Sequence, residues 1–290
     1  MSKVSSLINT VLRILPDKAY IELLYRLKTG KTLNLKNPCT YTEKLQWIKL
    51  YDRKQIYTQM VDKYEAKLFV AKLIGDEYVI PTLGVWSNFD DIDFESLPDR
   101  FVLKCTHDSG GLVICKDKAT FDKAKAREKI NRCLKRNYYW HNREWVYKNI
   151  KPRIIAEVYL EDRDSDQLRD YKYLTFHGEP KLLYLMQDRY VSPPGVADTF
   201  DMEGNHLLFS IERKAAAEIP KLPQNFEKMK ELAAKLSKGT YHLRVDFYEV
   251  EGKVYFGELT FFHMGGFVAP KPEPWNEVLG SWIRLEGKLD

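Results

Sequence analysis

The segment YHLRVDFYEVEGKVYFGELTFF, residues 241–262, decides the fold because it predicts a β-hairpin with charged side chains on one face. Polar and apolar residues alternate along its first half, which is the two-residue period of a strand buried on one side. Arg244 and Asp246 therefore share a face, and the turn is expected at Glu251 and Gly252. Glu258 lies on the second strand, so the hairpin brings a pair of carboxylates, Asp246 and Glu258, into the same sheet.

The length of the turn decides whether this carboxylate pair shares one face. A two-residue turn would put Val250 opposite Lys253 and would point the two carboxylates to opposite sides of the sheet. A three-residue turn with Gly252 in the left-handed conformation, a G1 bulge, would put Glu249 opposite Lys253 and both carboxylates on one face. We predict the bulged register.

Two interpretations of the carboxylate pair follow from the residues. Converging carboxylates on a sheet flanked by phenylalanines are costly unless a cation neutralises them, and hard oxygen ligands of this kind suit Mg²⁺. Alternatively, Arg244 forms a cross-strand ion pair with Asp246 or Glu258 on a solvated face of the sheet.

The segment FVLKCTHDSGGLVICKD, residues 101–117, predicts two strands joined by a glycine-containing loop at residues 107–111. Small side chains in such a loop allow backbone N–H groups to approach phosphate oxygens closely. Lys104 projects from the face opposite its apolar neighbours, where a phosphate is a suitable partner. The alternative is an ordinary hairpin with a glycine turn and a solvated Lys104.

Two further segments each carry one charged residue inside a predicted strand. Glu157 interrupts the apolar run RIIAEVYL at residues 153–160, and a strand of this kind crossing between two lobes could present backbone groups and a carboxylate to an adenine edge. Lys172 occupies an alternate position of DYKYLTF at residues 170–176. Considered alone, both residues are also compatible with ordinary surface charges.

The distribution of periodic patterns predicts an α+β fold. Thr40 followed by Glu43 fits a helix capping box, and apolar helical spacing predicts helices at the N-terminus as far as Pro16 and at residues 58–74. Short β-branched and aromatic runs dominate from Tyr78 onward, interrupted by helices predicted near residues 121–137 and 225–238. We predict a helical N-terminal region at residues 1–75, a small strand–helix lobe at 76–154 and a larger lobe at 155–290.

The composition argues against several classes of protein. The 290 residues have a formal net charge of +5 without a basic tail, whereas nucleic-acid binders usually concentrate their charge. The four cysteines form no CxxC pair, which argues against a zinc site and a disulfide scaffold. The N-terminal apolar stretch is interrupted by polar residues, so we expect a cytoplasmic protein without a membrane span, although a helix with nearby lysines and arginines could contact a membrane surface.

These segments, in this order, resemble the ATP-grasp superfamily. The strings NPCTYTEKLQWIKLYDR, FVLKCTHDSGG, IKPRIIAEVYL, DYK, RVDFYEV and FGELTF resemble the TupA-like ATP-grasp family in particular, which is named for teichuronopeptide biosynthesis. The resemblance covers about residues 30–268 and implies two α+β lobes with antiparallel sheets that clasp ATP.

The resemblance also implies roles for particular residues. Lys104 and Lys172 would hold the α- and β-phosphates of ATP, and the loop of His107, Ser109, Gly110 and Gly111 would close over the γ-phosphate. The crossing would frame adenine, with the residues Glu157, Val158, Tyr159 and Leu160. Asp246 and Glu258 would bind Mg²⁺, together with Thr260, which stands where the family usually has asparagine. Arg244 would stabilise the charge that develops on the transferred group. Arg189 is a candidate on the acceptor side.

The reaction implied by the resemblance is the ATP-dependent joining of a carboxylate to an amine through an acyl phosphate, here a uronic acid of a bacterial surface polysaccharide and an amino acid. The partners expected are therefore a nucleotide and a small-molecule or saccharide substrate, with lipid linkage of the saccharide left open. Three alternatives also stay open: a sugar or polysaccharide kinase using the same ATP site, a glycosyltransferase, and a non-catalytic binding protein. Against the second, the sequence has no Rossmann-type glycine fingerprint.

Overall fold

The computed structural model of the protein describes residues 13–161, 168–187 and 195–286. Most of the predicted N-terminal amphipathic helix, residues 4–12, lies outside these ranges, and so does Arg189. No helix among the described residues is long and apolar enough to cross a membrane.

Four helices lie within the described part of the N-terminal region that the sequence predicts to be mainly helical, and the first of them was not predicted individually. They are α1 (Asp17–Thr29), α2 (Tyr41–Tyr51), α3 (Ile56–Val61) and α4 (Glu65–Ile74). The capping box at the start of α2 is confirmed, since the Thr40 side chain accepts from the Glu43 N–H and the Glu43 carboxylate accepts from the Thr40 N–H.

The prediction of one continuous helix over residues 58–74 was wrong. The chain breaks between α3 and α4, where Asp62 Oδ1 accepts hydrogen bonds from the N–H groups of Tyr64 (2.8 Å) and Glu65 (3.0 Å). An aspartate that caps the following backbone in this way starts a new helix and ends the apolar period before it.

The first sheet contains four antiparallel strands in the order β1-β4-β2-β3. The strands are β1 (Thr82–Trp86), β2 (Phe101–Cys105), β3 (Leu112–Cys115) and β4 (Ile154–Val158), and helix α5 (Lys123–Leu134) packs against β2 and β3. A separate buried cluster of phenylalanines and cysteines lies between this sheet and α5, so Cys105 and Cys115 are buried thiols.

The second sheet contains six antiparallel strands in the order β10-β9-β5-β6-β7-β8. The strands are β5 (Asp170–Phe176), β6 (Glu179–Gln187), β7 (Val196–Phe200), β8 (His206–Leu207), β9 (His242–Val250) and β10 (Lys253–Thr260). The sequence did not predict β7 and β8, because neither carries an extended alternating pattern. Helix α7 (Phe226–Ser237) covers β5, β6 and β9.

The N-terminal helices share their core with the six-stranded sheet. The ring of Tyr41 on α2 lies 6.3 Å from that of Phe176 on β5, and its hydroxyl hydrogen-bonds to His242 on β9. Helix α2 also contacts α8 (Pro274–Ser281), while the four-residue α6 (Tyr139–Asn142) leads into the crossing to β4. The α+β architecture with two antiparallel sheets is confirmed, and the domain boundaries at residues 75 and 154 stay predictions.

Candidate active site between the two sheets

A cavity of about 300 Å³ brings together side chains from both sheets. Its walls are formed by lysines, acidic side chains and the glycine loop: Lys63, Lys104, Asp108, Ser109, Gly110, Gly111, Leu112, Glu157, Asp170, Lys172, Asp246, Tyr248, Gly257 and Glu258. Residues from all four segments that carry the predicted site residues, 101–117, 153–160, 170–176 and 241–262, therefore meet in one place.

The carboxylate pair shares a face of the sheet, but the predicted turn was wrong. Val250 pairs with Lys253 across a two-residue turn in which Glu251 (φ 50°) and Gly252 (φ 73°) are both left-handed. Such a turn matches the twist of the strands, which is why it is preferred to the three-residue turn. The irregularity lies further along β10, at Gly257.

The β-bulge at Gly257 brings the two carboxylates onto one face of the sheet, which the two-residue turn alone would not do. Phe256 pairs with Phe247, and Glu258 then pairs directly with Asp246 because one extra residue stands between them. A Cβ atom at position 257 would lie 3.1 Å from the Asp246 carbonyl oxygen, so glycine suits the close approach of the two strands here.

Asp246 is buried and held by two cations. Its carboxylate accepts from Arg244 Nε and Nη2 at 2.7 and 2.8 Å and from Lys172 Nζ at 2.5 Å. Burial raises the pKa of Asp246, but Arg244 and Lys172 outweigh burial and hold the pKa below its usual value. The carboxylate therefore stays ionised at neutral pH.

Glu258 differs from its partner in being accessible. Its side chain is 43% exposed and borders the cavity, with one oxygen 2.5 Å from Arg244 Nη2. Thr260 Oγ1 lies 3.4 Å from the same carboxylate oxygen. An exposed glutamate beside a buried aspartate leaves carboxylate oxygen available at the mouth of the site.

The donor set fits a hard divalent cation completed by the oxygens of a substrate. Asp170, Asp246 and Glu258 place three carboxylates against the two cations Arg244 and Lys172. Among the described residues no group of three or more His, Cys, Asp or Glu side chains is arranged as a self-sufficient metal site. Mg²⁺ is commonly bound by one or two carboxylates plus phosphates and water, which agrees with this arrangement.

Arg244 connects the carboxylate pair to the turn after β10. Its Nη1 lies 3.0 Å from Nδ1 of His263, a buried residue. Burial lowers the pKa of His263, and the nearby Arg244 lowers it further, so the ring is neutral and accepts this hydrogen bond. The His263 ring thereby orients the arginine.

Lys104 belongs to a separate ion cluster on the four-stranded sheet. Glu157, from the neighbouring strand β4, accepts from Lys104 Nζ and from Lys67 Nζ, both at 2.5 Å. Lys67 on α4 also donates to the carbonyl of Ile80 at 2.6 Å. Burial raises the pKa of Glu157, but the two lysines outweigh it and lower the pKa.

Glu157, which the sequence predicts at the adenine edge, lines the cavity and is paired with lysines. Both of its carboxylate oxygens are occupied by lysines, and the side chain is buried within the sheet. The following residues Val158, Tyr159 and Leu160 do not line the cavity, and the Tyr159 ring lies under the Arg100 guanidinium at 4.6 Å. The predicted contacts of residues 158–160 with adenine stay predictions.

The glycine loop after β2 borders the cavity through Ser109, Gly110 and Gly111. Gly110 has φ 100°, a conformation that glycine adopts without strain. A Cβ atom at Gly111 would lie 2.7 Å from that of Cys105, so a side chain there would displace the loop. The small residues leave the backbone of the loop accessible from the cavity, and its contact with a phosphate stays a prediction.

His107 has a different place from the one predicted. Its Nε2 lies 3.2 Å from the Cys133 carbonyl and 3.1 Å from the Arg136 carbonyl, at the end of α5, and the ring does not line the cavity. Burial lowers the pKa of His107. The side chain therefore anchors the loop to α5, and its predicted contact with a phosphate is not what the geometry shows.

Lys63 is a cavity residue that sequence reasoning missed. Its Nζ donates to the carbonyl of Asp108 at 2.7 Å, and its backbone N–H donates to the carbonyl of Thr106 at 3.0 Å. Lys63 therefore anchors the start of the glycine loop. Lys63 lies in the break between α3 and α4. Only a correct prediction of that break could have pointed to it.

An α+β chain whose two antiparallel sheets face each other across lysines, a glycine loop and a carboxylate pair has the ATP-grasp fold. The sequence matches the family described as TupA-like ATPgrasp over residues 43–284. The chain belongs to this family, which confirms the resemblance found in the sequence.

Solved structures with similar folds are distant. The D-alanine–D-alanine ligase of Helicobacter pylori matches with 15% identity and a TM-score of 0.45, over 84% of this chain and 69% of that chain. N5-carboxyaminoimidazole synthetase of Staphylococcus aureus matches with 15% identity and a TM-score of 0.42, over 70% of this chain and 44% of that chain. The D-alanine–D-alanine ligase of Bacillus anthracis, complexed with ATP, matches with 15% identity and a TM-score of 0.39, over 76% of this chain and 55% of that chain. The chain thus spans about half the length of the first structures it matches, and no curated protein matches it.

Proposed function

We propose that the chain is an ATP- and Mg²⁺-dependent carboxylate–amine ligase that joins an amino acid to a uronic acid of a bacterial surface polysaccharide through an acyl phosphate. The observation that carries the proposal is the cavity itself, in which Lys104, Lys172 and the glycine loop face Asp246 and Glu258. Cations for phosphates and carboxylates for a metal ion meet there within one small volume.

The cationic side of the cavity is suited to the phosphates of ATP. Lys104 and Lys172 come from different sheets, so they approach a bound triphosphate from two directions. Lys63 and the backbone of Ser109, Gly110 and Gly111 would enclose its terminal end. The resemblance assigns contacts with adenine to Glu157 and residues 158–160. We propose instead that Glu157 holds Lys104, and that the backbone of residues 158–160 frames adenine.

The acidic side would hold Mg²⁺ through Asp246 and Glu258, with Thr260 as a neutral oxygen ligand. When bound, the ion neutralises the charge of the phosphates and polarises the γ-phosphoryl group. Arg244 already contacts both carboxylates, at 2.7 Å and 2.5 Å, and is oriented by His263. It is placed to stabilise the negative charge that develops during transfer.

The proposed reaction has two steps. A carboxylate oxygen of the uronic acid attacks the γ-phosphorus of ATP, the bond from that phosphorus to the β–γ bridging oxygen breaks, and ADP leaves. The nitrogen of the amino acid then attacks the acyl carbon, loses a proton, and expels inorganic phosphate to form the amide. The protein contributes mainly positioning and electrostatic stabilisation. Arg189, which lies outside the described residues, remains a proposed contact on the acceptor side.

The experiment that tests this function traps the acyl phosphate. Purified protein is incubated with Mg-ATP and each of several uronic acids in the presence of hydroxylamine, which converts an acyl phosphate to a hydroxamate detectable with Fe³⁺. We expect hydroxamate and ADP only when acid, ATP and Mg²⁺ are all present. Glu258→Gln protein serves as the control for contaminating activities.

Two outcomes would contradict the proposed chemistry. Formation of ADP with a stable phosphorylated sugar and no hydroxamate would indicate a kinase that uses the same ATP site. Thermal stabilisation by a UDP-sugar, with none from Mg-ATP, would instead favour a glycosyltransferase, because a ligand that binds the folded state raises its melting temperature. A cytoplasmic location is a further part of the proposal, to be tested by cell fractionation.

A further inference from the structure

A second cavity, of about 660 Å³, borders the glycine loop on the side of α5 and α6. Asp108 and Ser109 line both this cavity and the one described above. An occupant of the second cavity would therefore lie next to the loop that we propose to enclose the terminal phosphate. Its volume falls within the roughly 300–1,000 Å³ typical of small-ligand sites.

The polar lining of the second cavity is mainly cationic. Arg13, Lys135 and Arg136 contribute three positive charges, and Asp108 contributes one negative charge, which is paired with Arg136. Within the ranges that the structure describes, no carboxylate lies within ion-pairing distance of Arg13 or Lys135. Two cations facing an open cavity without counter-ions favour an anionic ligand.

Aromatic rings form a second part of the lining. The Trp140 ring lies under the Arg13 guanidinium at 5.1 Å and that of Arg143 at 4.6 Å, which fixes its orientation. Tyr138 packs edge-on against Tyr147 at 5.0 Å. Both Tyr138 and Trp140 are partly exposed to the cavity. Rigid rings with polar edges are able to contact both the apolar faces and the hydroxyl groups of a sugar.

We propose that this second cavity binds the acidic saccharide substrate, with Lys135 and Arg13 contacting its carboxylates and Trp140 and Tyr138 contacting its rings. The proposal rests on the proposed function, because it takes the glycine loop as the border between acceptor and ATP. It places one uronate at the loop, where its carboxylate would face the γ-phosphate, and further acidic sugars along the cationic wall. Charge and rings together favour an acidic saccharide over a neutral saccharide or an acidic peptide.

Binding of three defined probes tests the proposal. Trigalacturonate, maltotriose and triglutamate are titrated into the full chain by calorimetry, with and without a non-hydrolysable ATP analogue and Mg²⁺. We expect trigalacturonate to bind, and Lys135→Glu to weaken it about tenfold or more, since the reversal replaces an attractive charge by a repulsive one. Trp140→Leu should weaken it about fivefold.

A matched control separates a local effect from a general change in charge. Lys129 lies on the exposed surface of α5 and does not line the second cavity, so Lys129→Glu makes the same charge change elsewhere. It should leave trigalacturonate binding within about twofold of the wild type. Circular dichroism of each variant verifies that it is folded.

The possible results decide between failure of this inference and failure of the proposed function. If Mg-ATP binds but trigalacturonate does not, or binds equally to Lys135→Glu and Lys129→Glu proteins, the second cavity is not the saccharide site. Tighter binding of triglutamate than of trigalacturonate would also overturn the saccharide assignment. If trigalacturonate binding depends on Lys135 while Mg-ATP and its analogue do not bind, the cavity assignment stands and the ligase proposal fails.

Discussion

Two buried carboxylates, one in each sheet, are each held by two cations, yet their surroundings differ in net charge. Glu157 in the four-stranded sheet lies between Lys67 and Lys104, so that cluster has more positive than negative groups. Asp246 in the six-stranded sheet lies between Lys172 and Arg244, but Glu258 and Asp170 add two further carboxylates.

This difference indicates what each side of the cavity can attract. An excess positive charge on the first sheet is satisfied by phosphate, and an excess negative charge on the second is satisfied by a metal cation. A bound Mg-nucleotide would complement both clusters at once. The exposed fraction of Glu258, 43% against 4% for Glu157, further indicates that only the second cluster has a carboxylate free to exchange partners.

The largest expected effect comes from neutralising the carboxylates of the second cluster. Glu258→Gln and Asp246→Asn should each lower turnover by at least about 10²- to 10³-fold, because each removes a carboxylate from the proposed Mg²⁺ site and with it charge stabilisation of the transferring group. ADP release under saturating ATP measures the effect. Glu277→Gln, an exposed change on α8, is the control and should retain full activity.

Melting temperatures keep this prediction interpretable. Glu258→Gln should remain as stable as the wild type within about 1 kcal/mol, since the pair with Arg244 is partly exposed. Near-normal turnover in either carboxylate variant would remove that residue from the proposed metal site.

The next largest effect should be on stability, in the first cluster. Glu157→Gln leaves Lys67 and Lys104 without their shared counter-ion, and loss of one partner from a buried ion pair typically costs about 3–5 kcal/mol. Urea unfolding measures this change in the free energy of unfolding. The same substitution at Glu258 should cost far less, so the two variants compare the clusters directly.

A double variant supplies the control for that comparison. Adding Lys67→Met to Glu157→Gln removes one buried charge that lost its partner and should recover part of the stability. If Glu157→Gln alone is as stable as the wild type, the first cluster is not held together by its carboxylate.

A smaller effect on nucleotide affinity is expected from Lys104→Ala. Glu157 keeps Lys67 as a partner in this variant, so the fold should persist. Loss of one charge-assisted contact to a phosphate should weaken ATP binding by roughly 10- to 100-fold. Calorimetric titration with Mg-ATP tests it, with Lys129→Ala as the matched control. Unfolding of Lys104→Ala would show that this lysine serves the sheet rather than the nucleotide.

The comparison of the clusters also shows what the sequence could predict. Alternation in residues 241–262 places Arg244 and Asp246 on one face, and this local regularity survives in the structure. The face of Glu258 depended on where an extra residue stands, and the structure puts it at Gly257, not in the turn. A glycine inside a strand pattern often marks a bulge, so Gly257 could have predicted this position.

Contacts between distant segments were beyond the reach of sequence patterns. Nothing in a strand pattern predicts that Lys67, on a helix, reaches Glu157, or that the ring of His107 turns toward the end of α5. Lys63 was missed for the same reason, because its position depends on a helix break capped by Asp62. Tertiary packing decides these partners, and periodicity records only which face a side chain occupies.

The smallest expected effect is on the pH dependence of stability, through His242, which is buried in the second sheet near Arg244. Burial, with a further contribution from Arg244, lowers the pKa of His242 from 6.5 to about 3. Between these pH values the unfolded chain binds a proton that the folded chain does not, so stability falls as pH falls, by up to about 1.4 kcal/mol per pH unit. His242→Gln removes this proton and should give a shallower loss of stability between pH 6.5 and 5 in urea unfolding.

Other groups contribute equally to both proteins: the lowered pKa values of His107 and His263 add a slope of the same sign, which the substitution leaves unchanged. The lowered pKa values of Asp246 and Glu157 act only below the ordinary carboxylate range, and the raised pKa of buried Glu144 works in the opposite sense and is common to both proteins. An equal slope in wild type and His242→Gln would mean that the ring accepts a proton within the fold. His242 Nδ1 lies 2.8 Å from the Thr175 carbonyl, and Nε2 lies 3.0 Å from the Tyr41 hydroxyl. A protonated ring would donate from both nitrogens, so the Tyr41 hydroxyl could act toward it only as an acceptor. The difference in slope between the two proteins therefore measures how strongly packing between the N-terminal helices and the second sheet keeps the His242 ring neutral near Arg244.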